Sequence, residues 1–464
     1  MNRLVAALLA LGAACATPSA APSAAASTPA TATVKSEPLA AGPSAAAPAG
    51  PVTDGDVTTG NVGGIQVLVR RAAGAELVAA TLAIRGGVLN VDTRTAGVEL
   101  LALRTAASGG TERLDKDAYS RQLTQLGSSI DASATPDYSL LESKSLLASW
   151  EKTFDLLTEV FLHPGLPAQE LDINRQRQLQ ELKREHENPD AALTLLSQQM
   201  VFQGTPYANR PQGTEDSVKA LTAQDVRAHL ARLRAQNRLL VVVVGDVASA
   251  AVFEKVRQAF GALPAGVPLP VPAASLAFAA PRLQTETRPL PTNFIFAAYA
   301  GPTWSGADFA AGRLASEVLA QRESIEVRTK RNLSYSAGAR FDVSRPQVIG
   351  GLYVSAVDPG AALPVMQNVV KDMVAQPLPD KELAGYRSTF LTGYLMGAET
   401  TDGQARRLIA AQLLGGDWRL MRTLPDRIRQ TTAQDLQAFT AKYLKAYQVA
   451  VVGDPKKVDL SMLR

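Results

Sequence analysis

The 464-residue sequence contains only one cysteine and three histidines. With a single cysteine, Cys15, no intrachain disulfide can form, even in an oxidising compartment. The histidines, His163, His186 and His229, are far apart and match no metal-ligand spacing. We expect His186 on the exposed side of a helix, His163 in a loop and His229 on an amphipathic helix. None of the three is expected to bind a metal.

Charge of one sign and aromatic residues are also scarce. The formal net charge is +4 at pH 7, and aromatic residues make up 5% of the chain. No basic run is interleaved with aromatic residues, so the sequence predicts no nucleic-acid partner. No G-x-S-x-G elbow occurs, which leaves serine-based hydrolysis without its usual nucleophile motif. The length favours two or three domains.

The first residues read MNRLVAALLALGAAC, a short basic start followed by an apolar run and small residues. This pattern is typical of a secretory signal peptide, since the apolar run is too short to span a membrane permanently. LGAAC resembles a bacterial lipobox, which predicts a signal peptide over 1–15 and acylation of Cys15. An ordinary signal with an incidental cysteine is the alternative. Residues 16–51 are almost all Ala, Pro, Ser and Thr, which predicts a disordered tether. We therefore expect an exported, periplasmic protein with a lipid anchor in the envelope membrane.

Beyond the tether the sequence contains two similar halves. Ala223-Gln224-Asp225 and Gly245-Asp246 recur as Ala433-Gln434-Asp435 and Gly453-Asp454. Each copy runs from an amphipathic helix into an apolar strand, and a Pro/Ala-rich segment separates the halves. A repeat this long indicates duplicated domains rather than a solenoid. We predict an N-terminal domain over 52–264, a linker over 265–282 and a C-terminal domain over 283–464.

Three segments of the globular region resemble the insulinase/pitrilysin family, the inverzincins. They are FQGTPYANRPQGTEDSVKALTAQDV (Phe202–Val226), RTKRNLSYS in the second half, and the two Val-Val-Gly-Asp endings. The resemblance implies an α+β fold. It would consist of two homologous α/β-sandwich domains that form half of a clamshell peptidase chamber.

The zinc motif of that family, H-x-x-E-H on a helix, is missing. Its histidines bind zinc and its glutamate activates the metal-bound water. Counting from Gly97 in TAGVELLALRTAASGGT places the three positions at Leu100, Leu103 and Arg104. Leucine has no ligand atom, and arginine stays protonated. Glu181 matches the third zinc ligand of the family, but without the others it is expected to be a solvated helix residue. The resemblance thus implies no metal and no catalytic residue in this chain.

The second half keeps Arg331 and Tyr335, which match an Arg-x-x-x-Tyr segment of the family. The resemblance implies that they lie across the chamber from the zinc and bind the substrate backbone or the scissile carbonyl. A guanidinium can bind a carbonyl oxygen, and a phenol can donate to a developing oxyanion. Asn332 replaces the usual glycine, and asparagine tolerates left-handed backbone angles. The alternative is a surface arginine in a basic cluster beside a half-buried tyrosine.

A lost zinc motif with a retained Arg and Tyr resembles the non-catalytic subunit of two-chain bacterial members. This implies a partner subunit that carries H-x-x-E-H and zinc, with peptides as substrates. The alternative is a catalytically inactive peptide-binding or scaffold protein of the envelope. A third interpretation, an active peptidase with unusual ligands, has little support. In the non-catalytic subunit, Leu100 and Leu103 are expected to be packing residues.

Overall fold

The computed structural model describes residues 50–269, 276–278 and 280–459. The predicted signal peptide, Cys15 and residues 16–49 of the predicted tether lie outside the described residues. The described residues belong to one compact unit. None of the helices described in it is long and apolar enough to cross a membrane.

Two β-sheets and the helices packed on them make up this unit. The strands are β1 (Val52–Asp54), β2 (Val57–Val62), β3 (Ile65–Arg71), β4 (Leu77–Arg85), β5 (Ser129–Ala134), β6 (Tyr138–Leu146), β7 (Leu239–Gly245), β8 (Arg282–Thr287), β9 (Asn293–Thr303), β10 (Ser336–Asp342), β11 (Gln347–Ala356) and β12 (Gln448–Gly453). The α-helices are α1 (Val98–Ser108), α2 (Lys116–Gln125), α3 (Trp150–Leu162), α4 (Ala168–Glu187), α5 (Pro189–Val201), α6 (Glu215–Ala220), α7 (Ala223–Leu233), α8 (Ser249–Phe260), α9 (Phe309–Glu323), α10 (Pro359–Ala375), α11 (Asp380–Met396), α12 (Thr401–Gly415), α13 (Arg419–Gln430) and α14 (Ala433–Tyr443).

The five strands of the second sheet follow the same order as five of the seven strands of the first, from β3 to β5. The first runs β1-β2-β3-β7-β4-β6-β5, and the second, read from its far edge, runs β8-β12-β9-β11-β10. In each sheet the last strand of the half lies between a parallel and an antiparallel neighbour. Strand β7 is parallel to β3 and antiparallel to β4, and β12 is parallel to β8 and antiparallel to β9. Both inserted strands are buried along their whole length, which explains their uninterrupted apolar runs. The shared order confirms the duplication and the α+β class.

The repeated Thr-Ala-Gln-Asp motif has a structural cause. In the first half Thr222 is the N-cap of α7, where its hydroxyl accepts from the Asp225 amide and the Asp225 carboxylate accepts from the Thr222 amide. Thr432 and Asp435 form the same reciprocal pair at the start of α14. Such a capping box satisfies two helix-terminal N–H groups and fixes where the helix begins. The repeated residues therefore set the start of the helix that leads into β7 or β12.

Each half also contributes a helix to the other half's sheet. Helix α12 of the second half packs on β4 and β7, and α5 of the first half packs on β9 and β12. The buried residues of α12, Leu408 and Ile409 among them, share an apolar core with Leu68 and Val242 of the first sheet. Burial of these faces stabilises the pair of sheets as one body, because apolar area removed from water contributes about 25 cal/mol per Å².

Candidate functional site

The frame of the missing zinc motif is helix α1. Gly97 is its N-cap with φ +90°, a left-handed angle that favours glycine. A Cβ at this position would lie 2.8 Å from the Gln212 carbonyl oxygen and 2.9 Å from Gln178 Nε2. Gln178, on α4, donates to the carbonyl oxygens of both Gly97 and Gln212. The glycine is therefore needed by the close approach of α4 and of the loop before α6, independently of any metal.

The first two positions of the motif frame are core residues. Leu100 is 2% exposed and Leu103 is 0% exposed. Leu103 packs in the core beneath the first sheet with Leu101 and Phe161. Burying a leucine side chain contributes about 1.5–3 kcal/mol to stability. These side chains supply packing and offer no atom that could bind a metal.

The third position, Arg104, is ion-paired with Glu181. Arg104 Nη1 lies 2.8 Å from Glu181 Oε2, and Arg177 Nε lies 3.4 Å from Glu181 Oε1. Glu181 lies on a helix, as expected, but its side chain is only 27% exposed and is paired with two arginines. The structure brings together the position of the second histidine, Arg104, and the position of the third ligand, Glu181, as a metal site would require. Here, however, the carboxylate of Glu181 is ion-paired with Arg104. A guanidinium in that place neutralises the glutamate without a cation.

A zinc ion does not fit these residues. Two of the four side chains in the frame are aliphatic, one is a cation, and the remaining carboxylate is already paired. Among the residues that the structure describes, no three His, Cys, Asp or Glu side chains come together as a possible metal site. The residues of the frame therefore cannot hold a metal ion for metal-assisted hydrolysis.

The Arg331–Tyr335 segment follows α9 through a π-helical turn, Ser324–Thr329. Asn332 has φ +52°, so this asparagine does adopt the left-handed angle of the usual glycine. The helix has ended by then, and the i, i+4 spacing does not by itself place Arg331 and Tyr335 on one helical face. The two residues lie on a bent loop just before β10.

Arg331 and Tyr335 have different neighbours. The Arg331 guanidinium donates to the Glu326 carboxylate and to the Glu326 carbonyl oxygen. Hydrogen bonds from Lys330 and then Arg331 lower the pKa of Glu326. Tyr335 is 81% exposed, and the guanidinium of Arg328 lies 4.3 Å from the centre of its ring. The alternative of a half-buried tyrosine is therefore wrong, whereas the basic cluster is present.

Arg331 also lines an open cavity of roughly 810 Å³ beside α10 and α11. Its other lining residues include Lys330, Asn368, Glu382 and Tyr386. Donors and acceptors of both signs thus face the same space, which suits a peptide backbone better than an apolar molecule. Tyr335 is not among the lining residues, so an occupant of this cavity would meet Arg331 first.

We expect Asn332→Ala to lower the free energy of unfolding by about 1 kcal/mol, because alanine pays for the left-handed angle that asparagine tolerates. Asn332→Gly should leave it within about 0.5 kcal/mol of the parent. Urea denaturation of the two variants measures both values. Equal losses for alanine and glycine would contradict the assignment of the left-handed turn and point to a side-chain contact.

A buried network next to α1 is not evident from the motif. Glu99 Oε2 is 2.9 Å from His229 Nε2, and Glu99 Oε1 accepts from Ser139 Oγ at 2.5 Å and from the Gly87 amide at 3.3 Å. Arg232 donates to His229 Nδ1 at 2.9 Å, which leaves Nε2 to carry the hydrogen toward Glu99. The only sequence signal was a glutamate inside an apolar helix. His163 lies in a loop, His186 is exposed on α4 and His229 lies on α7, all as expected, and His229 is buried there.

Comparison with known proteins agrees with this geometry. The family model "Insulinase (Peptidase family M16)" matches residues 66–215, and "Peptidase M16 inactive domain" matches residues 220–390. An uncharacterized zinc protease of Mycobacterium leprae is 22% identical over 72% of this chain and 77% of its own length. The non-peptidase homolog YmxG of Helicobacter pylori is 20% identical over 65% of this chain and 72% of its own.

Solved structures share the fold. A peptidase M16 inactive domain from Pseudomonas fluorescens covers 86% of this chain and 97% of its own, with a TM-score of 0.76 and 21% identity. The periplasmic protease PqqL of Escherichia coli covers 90% of this chain and 47% of its own, with a TM-score of 0.73 and 16% identity. The two family models follow one another along the chain and together span most of the described residues, so the protein belongs to the insulinase family, peptidase family M16.

Proposed function

We propose that the protein is the non-catalytic, substrate-orienting subunit of a heterodimeric zinc peptidase of the bacterial envelope. The observation that carries the proposal is the Arg104–Glu181 ion pair in the frame of the zinc motif. The frame keeps the helix, the capping glycine and the third-ligand glutamate, while Leu100 and Leu103 are packed into the core. A chain of this family with that frame needs its water-activating metal from elsewhere.

The partner would be a chain of the same family with an H-x-x-E-H motif and a bound zinc ion. Arg331 and Tyr335 would face the partner's zinc across the closed chamber. Arg331 would bind a backbone carbonyl of the peptide, and Tyr335 would donate to the oxyanion that develops on the scissile carbonyl. The exposure of both side chains, 45% for Arg331, supports this role because a partner or peptide could reach them.

The envelope location rests on the sequence. The signal-like start, the lipobox-like LGAAC and the Ala/Pro/Ser stretch over 16–51 support export and an acyl anchor at Cys15. A tether of this composition reaches at most about 3 Å per residue, which would hold the folded unit away from a membrane surface. The periplasmic protease among the structural neighbours is consistent with that compartment.

A specific observation favours a second candidate, a catalytically inactive peptide-binding or scaffold protein. Arg331 is already engaged by the carboxylate of Glu326 within its own chain, and this internal pair competes with a substrate carbonyl. The similarity to a non-peptidase homolog supports the same alternative. In that case Arg331 and Tyr335 would be dispensable, and no zinc-bearing partner would be needed.

Affinity purification from the envelope, followed by a peptide-cleavage assay with and without a zinc chelator, distinguishes the two. With a zinc-bearing partner in the eluate, Arg331→Ala and Tyr335→Phe should each lower kcat/KM of the complex by about 100-fold, the usual cost of one oxyanion donor. Arg429→Ala is the matched control, since Arg429 is an exposed arginine paired with a carboxylate, that of Asp426. The control should retain full activity, and all three variants should still bind the partner.

An inactive eluate with no H-x-x-E-H chain would reject the subunit proposal in favour of a scaffold. Full activity of both the Arg331 and the Tyr335 variants in an active complex would reject their roles but keep the pairing. Loss of partner binding in Arg331→Ala would instead place this residue in the subunit interface.

A further inference from the structure

A second cavity, of roughly 440 Å³, lies where α12 and α13 meet the edges of both sheets. It shares no lining residue with the zinc frame or with the cavity beside Arg331. Its walls are apolar and aromatic for the most part, with Tyr138, Trp304, Phe309, Leu420, Met421 and Leu424. Trp304 and Phe309 are stacked with their ring centres 5.2 Å apart. The volume and lining are those of a small-ligand site.

Four arginines line this apolar cavity. Two of them already have partners, a carboxylate for one and two carbonyl oxygens for the other. Arg406 makes a bidentate pair with Glu142, at 2.8 and 2.9 Å. Arg427 donates Nη2 to the carbonyl oxygens of Gly306 and Ala307, at 2.7 and 3.1 Å. The one acidic lining residue, Asp342, accepts from Arg345 and from the Ser344 amide.

The other two, Arg313 and Arg407, have aromatic neighbours, and among the described residues neither forms an ion pair with a carboxylate, although the charge of Glu317 also acts on Arg313. The guanidinium of Arg407 lies 4.1 Å from the centre of the Tyr394 ring, and its Nη1 atom is buried without a hydrogen-bond partner in the described part of the chain. Arg313 lies 5.3 Å from the Phe390 ring and 5.9 Å from the Phe341 ring. A buried donor without a partner is costly and rare.

These two guanidiniums also repel one another. Burial lowers the pKa of Arg313, the charges of Glu317 and Tyr394 raise it, and the charge of Arg407 lowers it as the smallest of these effects. Water is poorly stabilised in an apolar pocket, whereas one carboxylate would accept hydrogen bonds from both arginines and offset one of their two positive charges. The aromatic and aliphatic walls would at the same time bury a hydrocarbon group attached to that carboxylate.

We propose that this cavity binds a small amphipathic monocarboxylate, with its carboxylate on Arg407 and Arg313 and its apolar part against Trp304, Phe309 and Leu424. The same chemistry occurs in a free medium-chain fatty acid and at the C-terminus of an apolar peptide. The site is independent of the proposed pairing with a zinc peptidase, because it uses neither Arg331 nor the zinc frame.

The test is calorimetric titration of the purified chain with octanoate and with 1-octanol, which has the same chain without the charge. Octanoate should bind about 10- to 100-fold more tightly, the range expected for charge-assisted hydrogen bonds. Arg407→Met should remove most of the preference for octanoate over octanol, with Arg313 holding the remainder. Arg429→Met, which removes an exposed arginine of α13 outside the cavity, should leave octanoate binding unchanged.

A second variant keeps the test sharp if Arg407→Met is poorly folded. Ala410→Phe fills the cavity from α12 and should abolish octanoate binding while the melting curve stays cooperative.

N-acetyl-Leu-Phe, as free acid and as amide, distinguishes a fatty acid from a peptide C-terminus as the ligand. Binding of octanoate alone indicates a fatty acid, and binding of the free-acid peptide in preference to octanoate indicates a C-terminus. Equal affinity for octanoate and octanol, no binding of either acid, or octanoate binding that persists in Ala410→Phe would overturn the proposal.

Discussion

Glu99→Ala is expected to lower the free energy of unfolding by about 3–5 kcal/mol, the usual cost of removing one member of a buried charged or strongly hydrogen-bonded pair. The carboxylate accepts from three donors on three different segments, those of Gly87, Ser139 and His229. Without it, all three are buried with no acceptor. Because Glu99 lies on α1 and His229 on α7, the loss should loosen the same helix that carries the zinc frame. Urea denaturation followed by circular dichroism measures the change.

Glu151→Ala is the matched control, because Glu151 lies in the first turn of α3 and its side chain is 62% exposed beside Lys255. It should change the free energy of unfolding by no more than about 0.5 kcal/mol. The double variant Glu99→Ala with His229→Ala should lose less than the sum of the two single changes, since neither partner is then left alone. Strict additivity would show that the network does not act as a unit.

Much of the fold was readable from the sequence because local rules and packing agree there. Thr222 and Thr432 mark helix starts through a capping box that involves only neighbouring residues, and the apolar runs of β7 and β12 are those of strands buried on both faces. The left-handed turn at Asn332 was likewise accessible, since it depends on one residue's backbone preference.

The chemistry of the frame was harder to predict because it depends on pairs far apart in the chain. Arg104 meets Glu181 across 77 positions and Glu99 meets His229 across 130. The sequence places Arg104 and Glu181 at motif positions, but it does not show that they pair with each other or that Glu99 pairs with His229. Only the packing of α1 against α4 and α7 brings the partners together. The exposure of Tyr335 contradicts only the alternative of a half-buried tyrosine, and it agrees with the accessibility that a substrate-binding role requires.

Replacing Glu323 should raise stability, in contrast to most core substitutions. Glu323 ends α9, is 0% exposed, and neither of its carboxyl oxygens has a hydrogen-bond partner among the described residues. Burial raises the pKa of Glu323 well above its usual range. Glu323→Met, of similar length and apolar, removes the unpaired polar group, so we expect the free energy of unfolding to rise by about 1–3 kcal/mol at neutral pH.

The stability that Glu323→Met gains over the parent should increase with pH. This pH dependence distinguishes an effect of Glu323 ionisation from an effect of side-chain packing. The folded state holds the Glu323 proton more tightly than the unfolded state, whose glutamates have a pKa of about 4.3. The parent protein therefore loses stability as pH rises from that value toward the folded-state pKa, by up to about 1.4 kcal/mol per pH unit.

Glu323→Gln should remove this slope while keeping an unpaired polar group, and so should be less stable than Glu323→Met. Glu317→Gln, at an exposed position of the same helix, should retain the parent slope. A parent that is as stable at pH 8 as at pH 5, relative to Glu323→Met, would mean that the carboxylate is ionised and paired in solution.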